Sequence, residues 1–112
     1  MRRTLYGRMA VGILLFLATL IFATALRAQG DADKIFKTNC VLCHAADGSG
    51  NSPTGKALKA KDLKSDEVQK VSDADLAAVI TSGKGKMPAF GKKLKPDDIT
   101  ALVQYVRGLA KK

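Results

Sequence analysis

The chain has 112 residues, with 19 lysines and arginines against 10 acids, two cysteines, one histidine and no tryptophan. That length allows one small domain at most. Two cysteines cannot supply the set of disulfides by which small exported domains usually compensate for a meagre core.

The N-terminus carries its own pattern. Arg2, Arg3 and Arg8 form a positive head, Met9 to Leu26 is an almost unbroken apolar run, and Ala23-Thr24-Ala25 or Leu26-Arg27-Ala28 offers a small-residue cleavage site. This predicts a signal peptide over residues 1–28. The run is also just long enough to span a bilayer, so an uncleaved N-terminal membrane anchor is the alternative. Both readings place everything from Gln29 onward outside the cytoplasm, because the arginines stay inside. Residues 29–112 then form the single domain, with 14 lysines, one arginine and 10 acids, a net charge of +5.

Within that domain the apolar period is helical, and no alternating run is long enough to be a strand. A first helix is predicted from about Asp31 to the cysteines, with Ile35 and Phe36 as its apolar contacts. Residues Ala45 to Thr54, rich in Gly, Ser, Asp and Asn, read as loop. A second helix begins at Ser72, with Asp75 three residues on as a capping-box variant, and ends at Gly83. Gly83 to Lys93 is again loop. From Pro96 the residues Ile99, Leu102, Val103, Val106, Leu109 and Ala110 form one helical stripe, with Asp97 and Asp98 at the end where the macrodipole favours anions. The domain's aromatics are only Phe36, Phe90 and Tyr105. A core this poor lacks something large, flat and apolar.

Cys40-Val41-Leu42-Cys43-His44 is C-x-x-C-H, the attachment signature of a c-type haem. On a helical turn residues i, i+3 and i+4 share a face, so two thiols can meet the macrocycle edge while the adjacent imidazole reaches the iron. A thioredoxin-like dithiol needs a βα context that is absent here. Tetrahedral zinc wants four ligands, and the domain offers only Cys40, Cys43 and His44 from the usual soft set. No second histidine exists to fill the other axial position, and Met87 is the only methionine of the domain. It stands in Gly83-Lys84-Gly85-Lys86-Met87-Pro88, a loop ill suited to helix-face packing, and a thioether on haem iron raises the reduction potential.

The motif at residues 40–44, the late Lys86-Met87-Pro88-Ala89-Phe90 and a terminal helix containing Tyr105 resemble a class I cytochrome c of the small soluble monohaem kind, bacterial or cyanobacterial. The resemblance covers essentially residues 30 to 110. It implies an all-α fold of about three to five short helices wrapped around one covalently bound haem c, with His44 and Met87 as axial iron ligands. Phe36 and Tyr105 then pair where the first and last helices cross. It also implies a proline carbonyl that holds the ligand imidazole, for which Pro53 is the matching candidate beside the plainer reading of a loop proline.

Other motifs carry less. Gly50 to Ala57 approaches a phosphate-binding loop, but Ala57 replaces the hydroxyl residue and no strand precedes it. Lys84, Lys86, Lys92, Lys93 and Lys95 bracket Met87, either as a docking patch for acidic redox partners or as a solvated face. Few aromatics and an exported domain argue against nucleic acid. The resulting expectation is a monomeric one-electron carrier outside the cytoplasm, in the periplasm or, in a photosynthetic cell, the thylakoid lumen. It is no enzyme, shuttles electrons between respiratory or photosynthetic partners, and meets a membrane only through those partners or an uncleaved anchor. The alternative is a haem c subunit of a larger oxidoreductase complex.

Overall fold

A computed structural model describes the backbone of residues 2–112, with side chains described for residues 6, 7, 9–18 and 31–112. Both candidate cleavage sites lie outside the residues whose side chains are described. The chain divides into two units, Met1–Gly30 and Asp31–Lys112. Helix α1 is helical over Arg2–Asn39. In the first unit the apolar side chains of Met9, Ile13, Leu14 and Phe16 are exposed. Among the described residues no helix is long and apolar enough to cross a membrane.

The second unit is helical, as expected of an all-α domain. After the end of α1 come α2 (Val41–His44), α3 (Pro53–Leu58), α4 (Asp66–Gln69), α5 (Asp73–Ser82) and α6 (Pro96–Leu109). Pairing of extended backbone among the described residues is limited to one isolated bridge, Lys84 to Met87.

Each start has a local cause. The hydroxyls of Ser52, Ser65 and Ser72 accept from the backbone N–H groups of Gly55, Val68 and Asp75, satisfying donors that a first turn leaves orphaned. Ser72 also donates to the Asp75 carboxylate at 2.7 Å, so the expected capping box closes through the two side chains. Pro96 opens α6, and the Lys95 N–H donates to Asp98 at 3.1 Å. Two expectations change here. The loop predicted over Ala45–Thr54 ends early, because Ser52 and Pro53 are a cap and first-turn pair that start α3. Ala110 leaves the α6 stripe: it is the exposed residue past the helix end, while Ile99, Leu102, Val103, Val106 and Leu109 are buried.

The core is built on Phe36, Leu102 and Leu109, against which Ile35, Cys40, Val41, Leu63, Ile80, Leu94 and Tyr105 pack. Phe36 and Tyr105 meet with ring centroids 4.9 Å apart and planes tilted by 36°, the α1–α6 pairing expected from the sequence. The Tyr105 hydroxyl donates to Asp33 at 3.0 Å, adding a second tie between the same helices.

On the other side of α6, Arg107 fastens the α4–α5 connection. Its guanidinium donates to the carbonyls of Gln69 at 2.8 Å and Val71 at 2.5 Å and to the Asp73 carboxylate at 2.7 Å. One planar fork thus satisfies backbone acceptors left open where α4 ends.

Candidate haem site

Helix α2 is a single turn that continues the path of α1. The Cys40 N–H donates to Phe36 at 2.8 Å and the His44 N–H donates to Cys40 at 2.8 Å, so the chain stays coiled across the motif. Ala45, at φ +61°, then turns it away. This one turn puts Cys40, Cys43 and His44 on a common side. Both cysteines are free thiols and half-buried. Burial, and secondarily the neighbouring Cys43, pushes the Cys40 thiol up to about 11, against a smaller opposing pull from Lys93.

The His44 ring is oriented by the backbone. Its Nδ1 lies 3.1 Å from the Lys61 carbonyl oxygen. A carbonyl can only accept, so Nδ1 carries the proton and Nε2 keeps its lone pair. Burial lowers the imidazole's pKa, with the Lys61 bond opposing it, which favours the neutral ring that a metal requires. Pro53, the residue expected to hold this ring, does not: it is the first residue of α3, nine positions beyond the histidine. The role falls to Lys61 because α3 must end before the chain can return past the ring, and it does so at Lys59 in the left-handed conformation.

Ser52 is a second residue that sequence reading passed over. Its hydroxyl donates to Leu42 at 2.6 Å, with Cys43 O at 3.1 Å, while accepting from Gly55. It therefore joins the end of α2 to the start of α3. The Ser-Pro pair was a readable cap signal.

Met87 is half-buried in the loop after α5. Lys84 and Met87 exchange backbone hydrogen bonds of 3.1 and 3.0 Å around Gly85. Gly83 has φ +76°, and a Cβ there would stand 2.7 Å from the Met87 carbonyl oxygen, so the loop closes only over glycine. Phe90 and Gly91 donate to Ile80 and Thr81, fastening the returning chain to α5. Leu94, at the far end of this loop, packs against the same cluster as Cys40 and Val41. The structure records this shared core as the link between the Met87 loop and the motif.

The donor set suits a haem. Two unpaired thiols and a neutral imidazole with an open Nε2 lie on one turn, and a thioether stands in a separately pinned loop. The buried Asn39 Oδ1, next to Cys40, has no hydrogen-bond partner among the described residues, marking a place where a further group or water would satisfy it. No cluster of three His, Cys, Asp or Glu able to hold a bare metal ion occurs among the described residues.

A helical domain with this motif defines the class of small monohaem c-type cytochromes. The family described as cytochrome C oxidase, cbb3-type, subunit III matches residues 27–106. Cytochrome c6 of Gloeothece citriformis is 40% identical over 86 residues, 74% of this chain and 73% of that protein. Cytochrome c6 of a Nostoc species is 34% identical over 110 residues, 96% and 95% of the two chains. The solved structure of the KustC0563 c-type cytochrome superposes with a TM-score of 0.65 at 34% identity, covering 70% of this chain and 95% of the other. The chain belongs to the class I c-type cytochromes. Its cofactor is one covalently bound haem c, and it transfers electrons as a carrier, not an enzyme.

Proposed function

We propose that Cys40 and Cys43 hold the haem through thioether bonds and that His44 Nε2 and the Met87 sulfur are its two axial iron ligands. The observation that carries this is the His44 ring, held at Nδ1 by Lys61 beside two free thiols on the same helical turn. Bound there, the haem supplies one iron that accepts and releases a single electron. The chain's own part is to attach, orient and shield. The Lys61 carbonyl raises the basicity of the imidazole, the soft sulfur of Met87 favours the reduced iron, and the core around Phe36 excludes water. With both axial positions taken, no site stays open for substrate.

Lys84, Lys86, Lys92, Lys93 and Lys95 are exposed, and none of them forms an ion pair among the described residues, whereas Lys61, Lys64 and Lys70 do. Lys93 is close enough to act on the Cys40 thiol. This uncompensated positive face borders the motif and serves as the docking surface for an acidic redox partner, speeding encounters at low salt. Residues 1–28 act as the export signal that delivers a monomeric domain to the periplasm, or to the thylakoid lumen of a photosynthetic cell. A second reading, a haem subunit of a larger oxidoreductase, draws on the matching family's being that of an oxidase subunit; it requires a stable partner that co-purifies at physiological salt.

The test is the visible spectrum of the protein matured in a host with haem-attachment machinery, in both redox states, for the parent and Met87→Ala. The parent should show a sulfur-to-iron charge-transfer band in the ferric state and bind no carbon monoxide when reduced. Met87→Ala should lose the band and gain carbon monoxide binding. An unchanged Met87→Ala spectrum removes Met87 from the site, and a parent mass equal to the polypeptide alone removes the haem.

A further inference from the structure

The imidazole of His44 is held by a carbonyl, and that carbonyl is in turn held in place by a close approach of two backbone segments. Gly50 donates its N–H to the carbonyl of His44 itself at 2.9 Å, and the Gly48 carbonyl accepts from Leu63 at 2.8 Å. The segment from Gly48 to Gly50 therefore bridges the backbone of His44 to the stretch 60–63 that carries the ring's acceptor. The bridge is tight. A Cβ on Gly50 would stand 2.6 Å from the Ala60 carbonyl oxygen and 3.3 Å from the Lys61 carbonyl oxygen, the one that receives the His44 Nδ1–H. Gly50 also has φ +72°, which L side chains rarely adopt.

We infer that Gly50 is a positioning residue for the haem potential: the absence of a side chain there lets Lys61 reach His44. The inference rests on His44 being an iron ligand. A hydrogen bond at Nδ1 raises the donor strength of the ligating nitrogen, and a stronger donor favours ferric over ferrous iron. Any Cβ at position 50 must push Ala60 and Lys61 away, stretch the ring's bond and move the balance toward ferrous. The lever is steric and backbone-borne, so it acts without any side chain touching the haem.

Two kinds of variant test it in the haem-loaded protein. Gly50→Ala and Gly50→Asn both introduce the Cβ, but asparagine tolerates the left-handed backbone better. A purely structural role predicts that they differ in stability and agree with the parent in potential. Positioning predicts that both raise the potential together. The expected change is three- to tenfold in the ferrous-to-ferric ratio at fixed poise, about 30 to 60 mV at 59 mV per decade for a one-electron couple. The second arm replaces the Lys61–Asp62 amide by an ester, which weakens the Lys61 carbonyl as an acceptor. The Asp62 N–H that this removes donates no hydrogen bond among the described residues. The ester should shift the potential in the same direction, and in the reduced protein the His44 Nδ1–H resonance should move upfield in all three variants. Where the glycine variants do not fold, the ester decides. Loaded variants whose potential falls or stays at the parent's value overturn the inference and leave the ligand assignment standing. A parent that binds no haem overturns both.

Discussion

Phe36→Ala removes the side chain on which the domain's core is centred. Phe36 is 1% exposed and packs with Leu102, Leu109 and the Tyr105 ring. Truncating a buried phenylalanine costs about 3–5 kcal/mol, and the loss of an aromatic partner at this spacing points to the upper part of that range. Small domains are stable by about 5–15 kcal/mol, so the variant would lose about a third or more of that stability. For a domain of this size each kilocalorie moves the midpoint by about 4–8 °C, so a loss of about 4 kcal/mol lowers it by roughly 16–32 °C. The assay is guanidinium and thermal unfolding of the haem-loaded protein, followed together by the visible haem band and by helical circular dichroism. Tyr105→Phe is the comparison. It keeps the ring contact and deletes only the hydroxyl that reaches Asp33, so its loss should be a small fraction of that of Phe36→Ala. A Phe36→Ala protein within about 1 kcal/mol of the parent, well below the large-to-small range, would refute the packing argument.

Arg107→Ala should destabilise the domain by about 2 kcal/mol, because two backbone carbonyls at the end of α4 lose a charged donor; Arg107→Lys, lacking the planar fork, should recover less than half of that in denaturant titrations. The Asp73 carboxyl is held below its usual value of 3.8, first by Arg107 and then by Gln104. A lowered folded-state value stabilises above the unfolded value and is lost as pH falls through the folded one. Parent and Asp73→Asn should therefore differ in unfolding midpoint above about pH 5 and converge in strong acid, and a difference that grows on acidification would reverse the sign of the argument. Gly83→Ala should cost about 1–3 kcal/mol from backbone strain and weaken the ferric sulfur-to-iron band, since the new Cβ presses on the Met87 carbonyl. Charge reversal at Lys86 and Lys93 should slow electron exchange with an acidic redox protein in stopped flow, with the effect fading as salt screens it.

The difference between what was readable and what was missed follows the length scale of the signal. The α6 stripe shows several turns of apolar period and α5 is signed at its ends by Ser72, Asp75 and Gly83, and both helices stand where the sequence put them apart from Ala110 at the end of α6. Helices α3 and α4 have six and four residues, too short to display a period, so only their serine caps announced them. Pro53 matches the proline carbonyl that the family resemblance implies; the group that holds the ring is the carbonyl of Lys61, and a carbonyl is something every residue carries and no side chain advertises. Arg107 gave no hint of its fork, since its acceptors are carbonyls 36 and 38 positions away.

The covalently bound haem c was therefore legible from the chain alone, because two cysteines and a histidine in the C-x-x-C-H spacing are properties of residue type and local order. Which carbonyl orients the imidazole, how closely the loop must approach to deliver it, and which backbone ends one arginine gathers were decided only by folding. Those contacts join segments distant in sequence, and their strength depends on separations of tenths of an ångström that no linear pattern encodes.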